Sequence, residues 1–275
     1  MEEGDRHMIT CADLLRVANA AVDIAHGIML RGDPGFITSK GDRDMASEID
    51  YAIEEAVREH LRIHTPDISF LGEEEGGGMG ESGKLMWVLD PVDGTANFIR
   101  GIPLCAISLG LMDGKNGILG VIDLPFIGVR YSAIQGEGAY CGNRRIHVSN
   151  VRDLGESIVT IGDYAVGTDA GARNKPRLDL TAKLSGKVQR IRMLGTAALD
   201  LVWLADGKTD ASISLSNKAW DMTAGVVIAR EAGAQVVDSS GIDHNFDSAV
   251  TIGANAGLIP ELLPMIQEAL AQSAE

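Results

Sequence analysis

Apolar residues recur at helical spacing from Thr10 to about Met29, through Leu14, Leu15, Val17, Ala18, Ala21, Val22, Ile24 and Ala25. This period predicts an amphipathic helix with Thr10 or Asp13 near its start. Ile49, Ile53, Val57 and Leu61 predict a second helix from about Met45 to Leu61. The stretch between, RGDPGFITSKGDRD (31–44), is rich in glycine and charge and reads as a hairpin or a mobile loop. ISFL starts a short strand that gives way to a glycine loop, and KLMWVLD (84–90) is an apolar run of strand length followed by turn-like DPVDGT. PLCAISLGLMDGKNGILGVIDLP predicts two strands around an Asp-Gly/Asn-Gly hairpin, and GVRYSAIQGEGAYCGNRRIHV adds short strands and turns.

After SNVRDLGES the pattern alternates. SIVTIG, VQRIRML, DASISL, QVVDS and SAVTIGA are strand-like; LDLTAKLS, GTAALDLVWLADG, AWDMTAGVVIAREAG and LIPELLPMIQEALA are helical. Such alternation predicts an α/β layer, so the chain divides into an α+β half over residues 1–150 and an α/β half over 151–275. No Pro/Ser linker marks the boundary, which favours two packed halves over separate beads.

The composition narrows the partners. The chain has 275 residues and a formal net charge of −15, from 39 acidic against 24 basic side chains. A polyanion repels nucleic-acid backbones and anionic membranes, so neither is expected as a principal partner. Cys11, Cys105 and Cys141 are widely spaced, without a C-x-x-C pair, and suggest neither a disulfide framework nor a zinc knuckle. The acidic opening MEEGDRHMIT lacks the features of a signal peptide, and no apolar run reaches membrane-spanning length. A cytoplasmic location is the expectation.

Two phosphate-handling patterns lie within GMGESGKLMWVLDPVDGT (78–95). GMGESGKL matches G-x-x-x-x-G-K but has Leu85 where a P-loop needs a hydroxyl for Mg²⁺, and a strand follows it where a helix should. It is expected to be a surface loop. In DPVDGTANF, the apolar LMWVL puts Asp90 at the carboxyl end of a strand, where α/β sites usually sit. Asp93 follows three residues on, Gly94 permits a tight backbone, and Thr95 can open a helix. Two carboxylates with the Val92 carbonyl suit a hard divalent cation, and amides at a helix start suit an anion. An Asp-rich turn with a helix cap is the plainer alternative. Aspartyl-phosphate chemistry of the haloacid-dehalogenase kind needs one residue between the carboxylates, and here Pro91 and Val92 intervene.

The chain resembles the inositol monophosphatase family of Mg²⁺-dependent, lithium-sensitive phosphomonoesterases. Four stretches carry the resemblance: RDMASEID (43–50), FLGEEEG (70–76), WVLDPVDGTANFIRGIP (87–103) and LGTAALDLVWLADGKTDASISLSNKAWDMTAGVVIAREAGA (194–234). It implies a layered αβαβα sandwich of the sugar-phosphatase type. It also implies two or three Mg²⁺ ions, with Mn²⁺ a possible substitute, held by Glu73, Asp90, the Val92 carbonyl, Asp93 and Asp221. Glu73 and Thr95 would hold the attacking water, with Asp50 behind Thr95. By residue chemistry alone, Glu73 is one of three glutamates in a polar loop, Asp50 a surface position, and Asp221 a helix-capping carboxylate. His60 and His64 stand at i, i+4 without a third ligand and are expected on a wet helix face.

Gly94, Thr95, Gly195, Thr196, Ala197, Ser214, Lys218 and Asp221 are the expected substrate contacts. Inositol-specific relatives usually carry Glu at the place of Ser214, where a carboxylate accepts ring hydroxyls. The shorter hydroxyl of Ser214 argues against a preference for inositol 1-phosphate, while the T-A-N-F form of the central motif resembles the inositol-phosphatase branch. The expected substrate is therefore a small phosphorylated metabolite of polyol or sugar type, nominally inositol monophosphate. Fructose 1,6-bisphosphate, histidinol phosphate and a catalytically quiet binding homologue are the alternatives. Relatives are commonly homodimers.

Overall fold

Helix α1 (Cys11–Arg31) begins where its sequence supplies its own cap. The Thr10 hydroxyl accepts from the Asp13 amide while the Asp13 carboxylate accepts from the Thr10 amide. The computed structural model describes residues 9–32, 35–41, 44–76, 85–216 and 218–271. The P-loop-like GMGESGK (78–84) lies outside them. Strands β1 (Ile37–Gly41) and β2 (Asp44–Ser47) pair antiparallel, in keeping with the hairpin reading of this stretch. This pairing moves the start of α2 (Glu48–His64) later than its apolar pattern suggested, because Ser47 is both the last strand residue and the helix cap.

Seven strands make the first sheet, in the order β3 (Ser69–Gly72), β4 (Leu85–Asp93), β5 (Ala106–Asp113), β6 (Asn116–Leu124), β7 (Val129–Ile134), β8 (Gly138–Cys141) and β9 (Arg144–Arg145). Only the β3–β4 pair is parallel. The β5–β6 connection is the two-residue hairpin its sequence signalled, with Asp113 opposite Asn116 and Gly114 at φ +58. DPVD is not the turn that its proline and aspartates suggested. Strand β4 runs through it to Asp93, and the register against β5 slips between Asp90 and Asp93. Pro91 has no N–H, and the Val92 N–H bonds the Asp90 carboxylate at 3.0 Å, so two residues leave the ladder as a bulge.

The second sheet has the order β11 (Arg190–Arg192), β10 (Ile158–Ile161), β12 (Ala211–Ser214), β14 (Thr251–Ala254), β13 (Gln235–Val237). Its strands are the five the alternation predicted. Helix α4 (Ala170–Ser185) is longer than expected. Its first turns bury Pro176 and Arg177 in place of aliphatic side chains, so they carry no apolar stripe to read.

The layers follow from which faces are apolar. Helices α1 and α2 cover the outer face of the large sheet, burying Leu14, Val22, Ile53 and Val57 against Trp87, Leu89, Ile107 and Leu109. Helices α5 (Ala197–Ala205) and α6 (Ala219–Glu231) fill the space between the two sheets. Helices α4 and α7 (Ile259–Ala271) cover the far face of the small sheet. The result is an αβαβα sandwich. Helix α6 lies close on the large sheet because β5 and β6 offer glycines there. A Cβ on Gly110 would stand 2.5 Å from the Thr223 side chain, and one on Gly120 would stand 2.5 Å from the Ala224 carbonyl.

Candidate active site

The corner at the end of β4 is built from three separate parts of the chain. Asp90 and Asp93 are both buried there. Asp93 Oδ2 accepts from the Thr196 hydroxyl and from the Ala198 amide, both at 2.6 Å, so a carboxylate of the first sheet holds the N-terminus of α5. Gly94 takes φ +87, and a Cβ on it would lie 3.0 Å from the Leu104 carbonyl and 3.2 Å from that of Gly195. Only glycine meets both the backbone sign and the space. Asn97 closes the seam by donating to the carbonyls of Leu104 at 2.7 Å and Leu194 at 2.8 Å. The short helix α3 (Thr95–Ile99) follows. Thr95 Oγ1 stands 3.0 Å from the Val92 carbonyl and 3.4 Å from Asp50 Oδ1, and its single proton serves one of them at a time.

Asp50 is not the surface residue its helix position suggested. It is fully buried and accepts from the Ser47 amide at 2.9 Å and from the Ser47 hydroxyl. The spacing S-x-x-D at 47–50, a capping box, was the sequence signal for this. Glu54, one turn on, escaped the sequence reading altogether. It is fully buried, pairs with Arg58 at 2.5 Å and accepts from the amides of Glu74 at 2.8 Å and Glu75 at 3.0 Å. These bonds hold the loop that carries Glu73, which is half-buried. Gly72 leaves room for the arrangement, since a Cβ there would stand 2.2 Å from the Glu54 carboxyl carbon.

Asp221 enters from the first turn of α6 and accepts from the Lys218 amide at 2.9 Å, so it does cap the helix as the plainer reading held. It also lines a cleft of about 240 Å³ together with Asp93, Gly195, Thr196, Ala197 and Ser214. Lys218 is not brought to that cleft. It lies along a neighbouring groove with its ammonium 5.1 Å over the Trp220 ring. His60 and His64 stack on each other at 4.1 Å on α2, with His60 half-buried and His64 exposed.

The electrostatics show that the carboxylates share one space. Burial raises Asp90 well above the usual carboxylate range, and the charges of Glu73, Asp93, Asp221 and Asp50 push it further. Asp93 is raised to about 6 by burial, against the downward pull of its bonds from Thr196 and Ala198. Asp221 is raised to about 7 by burial and by Asp93, with Lys218 pulling the other way. Among the described residues no three His, Cys, Asp or Glu side chains enclose an ion as they stand; these acids face one another across the site without closing on a point. Their chemistry nevertheless fits divalent cations. Carboxylate and carbonyl oxygens are the donors hard cations take, and buried like charges at this density need positive charge between them.

The sequence model of the inositol monophosphatase family matches residues 11–275. The Nus factor SuhB of Pasteurella multocida is 33% identical over 262 residues, covering 94% of this chain and 97% of that one. Inositol monophosphatase 1 of Solanum lycopersicum is 33% identical over 269 residues, covering 94% of each. The solved structure of an IMPase from Thermotoga maritima superposes with a TM-score of 0.86 at 27% identity, covering 95% of this chain and 99% of its own. The fold, the acidic corner on β4 and the matched length agree, and the chain belongs to the inositol monophosphatase family.

Proposed function

We propose that this chain hydrolyses the phosphate monoester of a small sugar or polyol, nominally inositol monophosphate, in the cleft between Asp93 and Ser214. The family is one of metal-dependent phosphatases, and we assign two or three Mg²⁺ ions to Glu73, Asp90, the Val92 carbonyl, Asp93 and Asp221, with Mn²⁺ able to substitute. The observation that carries this reading is the convergence of Asp93 from β4, Asp221 from α6 and Glu73 from the 73–75 loop on buried Asp90, whose carboxyl each of their charges pushes upward. In this division residues 1–150 supply most of the cation corner, and residues 151–275 supply Asp221 and the contacts to the alcohol. We carry over homodimeric assembly from the resemblance, and a cytoplasmic setting from the cysteine pattern and the acidic opening of the sequence. No helix among the described residues is long and apolar enough to cross a membrane.

Cations bound there would supply Lewis acidity to the phosphoryl oxygens and lower the pKa of an attacking water. The chain's own residues then have defined tasks. Glu73 and the Thr95 hydroxyl orient the water. When Thr95 donates to Asp50, its oxygen lone pairs face outward to accept from that water; when it donates to Val92, Asp50 is released. The Gly94 and Thr95 amides stand ahead of the first hydrogen bond of α3, and so remain available to a phosphate oxygen. Gly195, Thr196, Ala197 and Ser214 bound the space left for the alcohol, whose size suits a small polyol.

The test is phosphate release from myo-inositol 1-phosphate, glycerol 2-phosphate, fructose 1,6-bisphosphate and histidinol phosphate, with millimolar Mg²⁺ and with chelator. Turnover is expected only with Mg²⁺, and Li⁺ is expected to inhibit at saturating substrate. Absence of release from every ester at saturating Mg²⁺ would overturn the proposal.

A further inference from the structure

The wall of the cleft that bounds the alcohol also carries a cation. Arg177, on α4, reaches its wall and is about nine-tenths buried. Its Nη1 donates to the Arg173 carbonyl at 2.5 Å and its Nη2 to the Ser216 hydroxyl at 2.8 Å. A guanidinium has five N–H donors, so three are not accounted for by these bonds. No carboxylate among the described residues forms an ion pair with it. Its surroundings are burial and a second cation, Arg173, which together pull its protonation below the usual arginine range. In a chain of net charge −15 this is a conspicuous place for a cation without an acidic partner, and an incoming anion would supply one. Two acids of the cleft are engaged or placed elsewhere: Asp93 holds Thr196, and Asp163 Oδ2 lies 3.5 Å from where a Gly195 Cβ would stand. Ser214 and Ser216 lie on the Arg177 side, with Ser214 Oγ donating to the Ser216 carbonyl at 2.8 Å.

We infer that Arg177, with Ser216 beside it, recognises a second anionic group, a carboxylate or a further phosphate, on the alcohol portion of the substrate. The inference rests on the phosphatase reading for where the reacting phosphate sits. It also gives Ser214 a reason to be neutral, since a glutamate there would supply Arg177 with an internal partner and exclude the incoming anion. Arginine suits the task because its planar fork binds either oxyanion through two parallel hydrogen bonds.

Two matched pairs test it: fructose 1,6-bisphosphate against fructose 1-phosphate, and 3-phosphoglycerate against glycerol 3-phosphate. In at least one pair wild-type kcat/KM is expected to favour the member with the extra anion, and the pair identifies phosphate or carboxylate. Arg177→Gln is expected to reduce that preference roughly 10–100-fold, chiefly through KM. Ser216→Asp sets a carboxylate beside the guanidinium and is expected to erase the same preference without lowering Tm, which separates recognition from any folding defect of the first variant. No preference in wild type, or a preference that survives either substitution, overturns the inference. Calorimetric binding of fructose 6-phosphate and of glycerate to metal-stripped protein is independent of turnover. If no ester is hydrolysed but one of these binds to wild type and not to Arg177→Gln, the phosphatase reading fails and the anion site stands. Equal binding by both proteins, or none, overturns the site.

Discussion

Asp93→Asn is expected to lower phosphate release on the order of 10³-fold and, in metal-stripped protein, to raise Tm. The two effects have one cause. Both bonds from α5 reach Asp93 Oδ2, and an asparagine carbonyl in its place still accepts from Thr196 and Ala198, though more weakly than a carboxylate, so the packing of α5 survives. What is lost is one negative charge from a buried group of like charges. Removing it relieves repulsion worth roughly 1–2 kcal/mol in the folded state while stripping the corner of a ligand. The pH dependence of the metal-stripped wild type follows in sign. Asp93 and Asp221 titrate near 6 and 7 when folded, and near the ordinary 3.8 when unfolded. Between about pH 7 and 4 the folded state therefore binds protons the unfolded state does not, and stability rises as pH falls. Buried His244, lowered to about 4 by burial and by Arg230, works the opposite way below about 6.5, because there the unfolded state takes up the proton. The clearest window is thus from pH 8 down to 6.5, where Tm should climb more steeply without Mg²⁺ than in saturating Mg²⁺. A variant that is both inactive and less stable at every pH would show that Asp93 is structural.

Glu54→Ala is the second large effect, and it is expected to cost stability and activity together. The substitution removes the buried acceptor of the Glu74 and Glu75 amides and one of the partners of Arg58, a third of which is exposed and which keeps Glu75 at 3.5 Å. Leaving those donors without their acceptor costs roughly 2–3 kcal/mol, which for a chain of this size lowers Tm by about 5–10 °C. The loop bearing Glu73 then loses its anchor, so turnover should fall roughly 10–100-fold and recover in part as Mg²⁺ is raised. Glu54→Gln keeps one acceptor and should fall between. Thermal unfolding read beside the Mg²⁺ dependence of kcat checks both halves. Wild-type Tm in Glu54→Ala would remove Glu54 from the account of how Glu73 is placed.

Much of this architecture was legible because apolar periodicity reports directly on buried faces. Helix α1, the β5–β6 hairpin and the five strands of the second sheet stand where their patterns put them. Three of the departures, at Asp50, Glu54 and Arg177, share a cause. Polar residues that are buried look like surface residues in a sequence, since the partners that make burial tolerable are distant in the chain. Asp50 and Glu54 lie on the same buried face of α2 as Ile53, Val57 and Leu61, and acids on an apolar stripe were the available signal. Arg177 hid the first turns of α4 for the same reason. DPVD read as a turn because Pro and Asp favour turns, yet a bulge satisfies those preferences inside a strand. Lys218 was grouped with the substrate contacts through its closeness to Asp221 in sequence, but its side chain leaves toward Trp220.

Acids contributed by β4, by the loop after β3 and by α6 should act as one cation site, and counting bound Mn²⁺ by electron paramagnetic resonance tests this most directly. Metal-stripped wild type is expected to take up at least two ions per chain. Asp221→Asn, whose changed residue lies far along the chain from Asp90 and Asp93, is expected to take up at least one fewer. The same number of ions, bound with the same affinity by both proteins, would contradict the account.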